Sequence, residues 1–305
     1  MKRFSTISEF LQFRQLPRPE HPLICVFKVE SVERLLIEAP KSWLYDFYAI
    51  GLKRVDNAKD ARLKYGQQEY DFDNGIMSFV APGQVLSLSL DDHVKAIKQS
   101  GWMMLIHPDF LWNTSLAQAI NRYDFWDYTV HEALFLSERE EATLVHIMEE
   151  VQRECQSNID KFTKNIIISH IGTLLNYADR FYHRQFITRE KAHHQVLARL
   201  EKVLNDYFEG DDLTSRGLPT VSYLAQSLNL SPKYLSSLLK VLTGENTQQH
   251  IHRKVIEKAK EKLSTTDLSV SEIAYELGFE HIQSFSKLFK TKTNQSPMAF
   301  RQSFN

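Results

Sequence analysis

The chain has 305 residues, 43% apolar and 25% charged, a size and balance that suit about two soluble globular domains. Its longest apolar runs, such as Trp102–Ile106 and Ile166–Ser169, are too short for a bilayer span, and the N-terminus lacks the continuous apolar stretch of a signal peptide. The net charge of −1 announces no nucleic-acid partner, yet residues 1–190 hold 22 basic against 26 acidic residues while 191–305 hold 15 against 12.

Two cysteines, Cys25 and Cys155, match no metal or redox spacing, so a reducing cytoplasm is expected rather than a disulfide-stapled secreted fold. Residues 1–136 read as a β domain. A strand is expected over Trp43–Leu52, looser alternation over 61–72, and two short strands around the turn Ala81-Pro82-Gly83-Gln84. Asp73-Asn74-Gly75 supplies a second turn, and Gly101–Pro108 a further strand stopped by proline. Short strands at such spacing argue for a β-barrel or sandwich.

At Ser137 the periodicity changes. Ser137 with Glu140 forms a capping box, after which Leu144, Ile147, Met148 and Val151 share one helical face. A second helix carries Phe162, Ile166, Ile167, Ile171, Leu174, Leu175, Ala178 and Phe181 at helical spacing. This pair, 137–184, either caps the barrel or dimerises, and dimerisation is expected because isologous pairs are the commonest oligomers. Residues 185–196 read as a polar linker, 197–208 as a helix and 209–219 as a loop.

The last domain, 197–305, contains an internal repeat. At an offset of 49, Val221, Leu224, Ala225, Leu228, Asn229 and Leu230 meet Val270, Ile273, Ala274, Leu277, Gly278 and Phe279. One extra residue then shifts the offset to 50, where Leu235, Ser236, Leu238, Leu239, Lys240 and Thr243 meet Phe285, Ser286, Leu288, Phe289, Lys290 and Thr293. Each copy reads as a helix-turn-helix, about 220–242 and 269–292: a serine caps the first helix, an alanine permits close packing, and Asn229 or Gly278 takes positive φ at the turn. A single long helix, about 247–264 and spanning about 25 Å, joins them. The outer face of the second helix bears Lys233, Ser236, Ser237 and Lys240 in copy one and His281, Gln283, Ser284, Ser286, Lys287 and Lys290 in copy two. These side-chain types reach base edges and phosphates from a major groove.

The run Ile273-Ala274, Gly278-Phe279, Phe285-Ser286-Lys287-Leu288-Phe289-Lys290, Ser296-Pro297 and Phe300-Arg301 resembles the AraC/XylS family of bacterial transcription regulators. Residues 230–244, LSPKYLSSLLKVLTG, fit the same pattern, and Asn294 departs from it where the family usually has glycine. The resemblance covers about 197–303 and implies an all-α domain with two helix-turn-helix motifs that binds double-stranded DNA in a bacterial cytoplasm, near the nucleoid. It places Lys233, Tyr234, Ser236, Ser237, Lys240, His281, Ile282, Gln283, Ser286, Lys287, Lys290 and Arg301 as DNA-binding residues. Residues around 73–88 look like the cupin-like sensing domain of the same family, which implies an α+β chain whose barrel binds a small effector or a protein partner and whose helical pair makes a homodimer.

An enzyme is not expected. His21, His93, His107 and His131 are widely spaced, and His250 and His252 point to different sides of a helix, so no metal site is read and no catalytic motif is present. No cofactor is expected. Among the aromatic residues, Trp43, Tyr45, Phe47, Phe79 and Trp102 are candidates for effector contact, although alternating strands bury half their side chains regardless. The alternative is a cupin-like ligand-binding protein or enzyme fused to a helical interaction domain.

Overall fold

A computed structural model describes residues 1–29, 42–56, 75–87, 98–129, 132–157, 160–188, 190–210 and 212–303. The chain divides into two compact units, Met1–Gln185 and Phe186–Asn305, the first sheet-rich and the second helical.

The first unit opens with β1 (Lys2–Phe4) and α1 (Ile7–Phe13), whose N-terminus Thr6 caps by accepting a hydrogen bond from the Glu9 amide. There follow β2 (Ile24–Val29), β3 (Ser42–Tyr45), β4 (Tyr48–Asp56), β5 (Ile76–Val80), β6 (Val85–Ser87) and β7 (Lys98–Ile106). Short helices α2 (Pro108–Leu111) and α3 (Leu116–Ala119) precede β8 (Leu134–Phe135). The strands form a three-stranded sheet, β1-β3-β6, and a five-stranded antiparallel sheet, β2-β7-β4-β5-β8.

The single strand expected over 43–52 is two strands in different sheets. Asp46 turns the corner, its amide donating to Phe4 O and its carboxylate held by Arg3 Nε at 2.9 Å, while Phe47 is fully buried against Tyr45. The turn at Ala81–Gln84 forms as the sequence predicts, with Gly83 at φ +79° and the Gln84 amide donating to Ala81 O. The alternating stretch 61–72 and the turn residues Asp73 and Asn74 lie outside the described residues.

Antiparallel register sorts the large sheet into two faces. Cys25, Phe27, Met103, Leu105, Ala49 and Gly51 look one way, towards a core made with Phe4, Phe10, Leu11 and Tyr45 of α1 and the small sheet. Trp102, Leu52, Ile50 and Phe79 look the other way. Helix α4 (Glu138–Gln156) packs on β2 and β7, with Gln152 Nε2 donating to Val26 O. The capping box of Ser137 and Glu140 forms as predicted, and Leu144, Ile147, Met148 and Val151 are buried.

Helix α5 (Thr163–Thr188) buries Ile167, Ile171, Leu174, Leu175, Ala178 and Phe181, but Phe162 and Ile166, expected on the same stripe, are 56% and 41% exposed. Phe162 sits instead in a capping turn, where Asp160 Oδ1 accepts from the Phe162 and Thr163 amides. Arg184 grips Glu140 with two hydrogen bonds and so ties α5 to the start of α4.

Helix also replaces two connections that composition alone reads as irregular. Over 185–196, read as a polar linker, the backbone is helical: α5 runs to Thr188 and α6 spans Glu190–Glu209. The loop expected over 209–219 contains α7 (Asp212–Arg216), anchored by buried Leu213. Then come α8 (Val221–Ser227), α9 (Pro232–Thr243), α10 (Thr247–Thr265), α11 (Val270–Glu276), α12 (Ile282–Thr293) and α13 (Pro297–Gln302). Leu224, Ala225, Leu235, Leu239, Ile251, Val255, Ala259, Ile273, Ala274, Phe285 and Phe289 form their shared core. Among the described residues no helix is long and apolar enough to cross a membrane.

Candidate nucleic-acid interface

The repeat is a structural one, built by the same bonds twice. Asn229 and Gly278 take φ of +56° and +80°, and the amides of Leu230 and Phe279 reach back to Ala225 O and Ala274 O at 2.9 and 3.0 Å. The cap residues differ slightly from expectation: Thr220 caps α8, and Ser269 with Glu272 caps α11. At the far end, Gly244 and Asn294 are both left-handed C-caps, so asparagine serves where glycine is usual. Thr243 Oγ1 bonds Leu239 O and accepts from the Glu245 amide; Thr293 Oγ1 bonds Phe289 O and accepts from the Gln295 amide. Helices α9 and α12 are therefore set on α8 and α11 by one scheme.

On α12, Gln283, Lys287 and Lys290 stand at i, i+4 and i+7, and all three are exposed, with Ser284 and Thr291 exposed beside them. At the offset of 50 the matching positions on α9 are Lys233, Ser237 and Lys240, of which both lysines are exposed. His281 is exposed at the N-cap of α12, and no hydrogen bond from its side chain closes the helix end. Along α10 the basic residues Arg253, Lys258 and Lys262 pair with Glu245, Glu261 and Glu276, so much of that helix's positive charge is already matched.

Four expected contacts sit differently. Arg301 points inward, its Nε donating to Leu263 O at 3.2 Å and its Nη2 to Leu268 O at 2.6 Å, which ties it to the end of α10 instead of leaving it to grip phosphate. Tyr234 is buried, its ring edge-on to Phe186 at 5.1 Å. Ile282 packs against the core from the first turn of α12. Ser236 is half-buried and bonds Thr247 Oγ1 at 2.9 Å.

His250, fully buried, lies 2.8 Å from Thr243 Oγ1 through Nε2 and 2.8 Å from Arg253 through Nδ1. Burial, aided by the Arg253 guanidinium, pulls its pKa down and favours the neutral ring. Sequence reading did not find this histidine's role, because one of its two partners, Thr243, lies at the end of the preceding helix.

The effector candidates are split between faces. Trp43, Tyr45 and Phe47 belong to the core between the sheets, whereas Phe79 packs on Phe125 and Trp126 and Trp102 lies under Lys28, on the opposite side of the large sheet. Alternation along the strands prevents all five from lining one pocket.

Residues 224–303 match the family described as "Helix-turn-helix domain". The C-terminal unit carries an AraC-type helix-turn-helix domain. Relatives include the raffinose operon transcriptional regulatory protein RafR of Pediococcus pentosaceus, 37% identical over 28% of this chain and 30% of that protein. The transcriptional activator RhaS of Escherichia coli O139:H28 is 37% identical over 26% of this chain and 28% of its own length. YfiF of Bacillus subtilis, named as an HTH-type transcriptional regulator, is 31% identical over 45% of this chain and 40% of its length. The chain thus spans well under half of these relatives.

Among solved structures, the C-terminal domain of the response regulator yesN from Fusobacterium nucleatum is 34% identical, covering 33% of this chain and 96% of that one, with a TM-score of 0.29. The DNA-binding domain of AdpA in complex with a target DNA is 26% identical, covering 34% and 91%, with a TM-score of 0.31.

Proposed function

We propose that the protein is a sequence-specific DNA-binding transcription regulator, not an enzyme, that acts as a cytoplasmic homodimer. Residues 197–305 form the DNA-binding domain, with α9 and α12 in adjacent major grooves and α10 holding them apart. At 19 residues α10 spans about 28 Å, close to the ~34 Å of one DNA turn. The observation that carries this reading is the exposed stripe Gln283-Lys287-Lys290 with its counterpart Lys233-Ser237-Lys240, presented by two copies of one cap scheme. The amide suits a base edge and the lysines suit phosphates.

The two-sheet unit is the cupin-like sensing domain, and the helical pair 137–184 is the dimerisation element. The exposed Phe162 and Ile166 support that second role. An effector or partner bound by the sensing unit shifts the balance between states that bind DNA differently.

Selection from random duplexes with the full chain tests the reading. Enriched sequences are expected to contain two short blocks about one helical turn apart. No enrichment over the starting pool, with binding that any duplex competes away equally, overturns it.

A further inference from the structure

The chain's two cysteines lie far apart in sequence, yet the first unit brings both to the wall of one cavity of about 290 Å³. Cys25 sits on β2, an edge strand of the five-stranded sheet, so the space beyond it is open to another element. The end of α4 reaches into that space. Gln152 Nε2 donates to Val26 O at 3.2 Å, and Cys155 follows Gln152 at i+3 on the same side of the helix. The end of α1 sets the opposite rim: Gln15 takes φ +54°, the Leu16 amide donates to Leu11 O, and Pro17 and Pro19 stiffen the chain that returns to β2. Both cysteines are free and only half-buried.

Two thiols on the wall of one space suit a soft cation. His21 lines the same cavity, but its Nδ1 accepts from the Leu23 amide at 3.1 Å and its ring stands edge-on to Phe110. Among the described residues no three of His, Cys, Asp and Glu gather as a metal cluster, so the four-ligand shell that zinc takes is not offered there. An ion content with two sulfurs fits the donors present. The charge of the wall favours a monovalent one. Arg18 and Lys28 stand against Glu20, an excess of one positive charge, while burial, aided by Lys164, favours the neutral His21 ring. Two thiolates on a monovalent ion carry one negative charge, which that excess balances.

We propose that Cys25 and Cys155 together bind a soft monovalent cation, Cu(I) or Ag(I), as a two-coordinate bis-thiolate that bridges β2 and α4. Two metal–sulfur bonds form, two S–H bonds break, and both protons leave to the buffer with no change of oxidation state. Burial holds both thiols protonated at neutral pH, so they resist alkylating agents, which need a thiolate in advance. A soft cation instead displaces the protons as it coordinates. Any effect on transcription rests on the regulator reading above. The binding does not, and it is measured without DNA, so its failure leaves that reading intact.

The test presents the reduced full chain, under nitrogen, with Cu(I) as its bicinchoninate complex and reads the loss of that complex's colour. Wild type is expected to withdraw one Cu(I) per chain, and Ag(I) to compete for the same site. Cys25→Ser and Cys155→Ser should each weaken binding by more than the ~10–100-fold that loss of a group supporting a metal ligand costs. X-ray absorption of the loaded wild type, which depends on no variant folding, should show two sulfur neighbours and neither nitrogen nor oxygen. No withdrawal by wild type, two ions on wild type with one left on each single variant, or either variant binding as wild type does would overturn the proposal. So would Zn(II) competing as well as Ag(I), or a third ligand in the absorption spectrum.

Discussion

Replacing Gly278 with alanine should destabilise the DNA-binding unit for two separable reasons. At φ +80° an L-residue costs about 1–2 kcal/mol over glycine. The new Cβ would also stand 2.9 Å from Gly217 C, 2.9 Å from Leu213 O and 3.0 Å from Gly217 Cα. These are backbone atoms of α7 and its exit, which cannot swing aside as a side chain would, so overpacking adds about 1–3 kcal/mol. Restricting the unfolded chain returns about 0.4–1 kcal/mol. The net loss is about 1.5–4 kcal/mol, which for a unit of this size lowers Tm by roughly 6–16 °C. Calorimetry of the full chain reads it, with Asn229→Ala as the control. Asn229 takes φ +56° at the equivalent turn, so its variant carries a left-handed penalty with no Gly217 against it. Equal losses in the two variants would refute the role given to the Gly217 approach.

The remaining predictions concern the interface, an internal arginine and the thiols. Gln283→Ala should relax selectivity at one base position by ~1–3 kcal/mol, seen in competition with single-site mutant duplexes. Lys290→Ala should weaken all sequences alike and reduce the salt slope by about 1. Arg301→Gln should lower thermal stability by about 1.5–3 kcal/mol, through two lost charge-assisted bonds to Leu263 O and Leu268 O, and leave the salt slope of DNA binding unchanged. Burial pushes Cys25 up to about 11 and Cys155 to about 12 from an ordinary value of 9.0. The unfolded chain therefore loses these protons first, so their contribution to stability is whole below pH 9.0 and falls as pH rises from there towards 11. Melting curves of wild type against the double alanine variant should diverge in that window, and native thiols should resist alkylation at neutral pH.

The double helix-turn-helix was legible because each copy must solve the same backbone problems with few residue types. A left-handed turn residue, a small residue at the helix crossing and a polar cap recur at fixed offsets, and those offsets survive in the bonds of Thr243 and Thr293. Arg301 and Tyr234 were illegible for the opposite reason. Periodicity shows which face a side chain leaves from, but the partners that turn these two inward, Leu268 and Phe186, lie far along the chain. Helix α7 has five residues, too few to display a period, so the segment that makes Gly278 obligatory read as loop. In the first unit, alternation assigned faces within strands, whereas the corner at Asp46 that sends β3 and β4 to different sheets depends on Arg3 and Phe4. The five aromatic candidates consequently read as one group when they occupy two faces.

The two copies share a scaffold without sharing chemistry, and that difference yields a last prediction. Copy one is braced by polar bonds: Ser236 to Thr247, and His250 between Thr243 and Arg253, with Arg253 paired to Glu245 at 3.2 Å. At the position of His250, copy two has Phe300, whose ring meets Phe289 at 5.5 Å. The stripes diverge as well. Copy two presents an amide and two lysines, while copy one presents a lysine, a half-buried serine and a lysine. A glutamine amide can bond one base edge in two places, whereas a hydroxyl accepts or donates to almost any base. Of the two blocks recovered by selection, one should therefore carry most of the sequence information. Gln283→Ala should flatten that block and leave the other unchanged, and Ser237→Ala should alter neither block's sequence by more than a small amount. Two blocks of equal information, or a Gln283→Ala profile identical to wild type, would show that the exposed stripe of α12 is not what reads the bases.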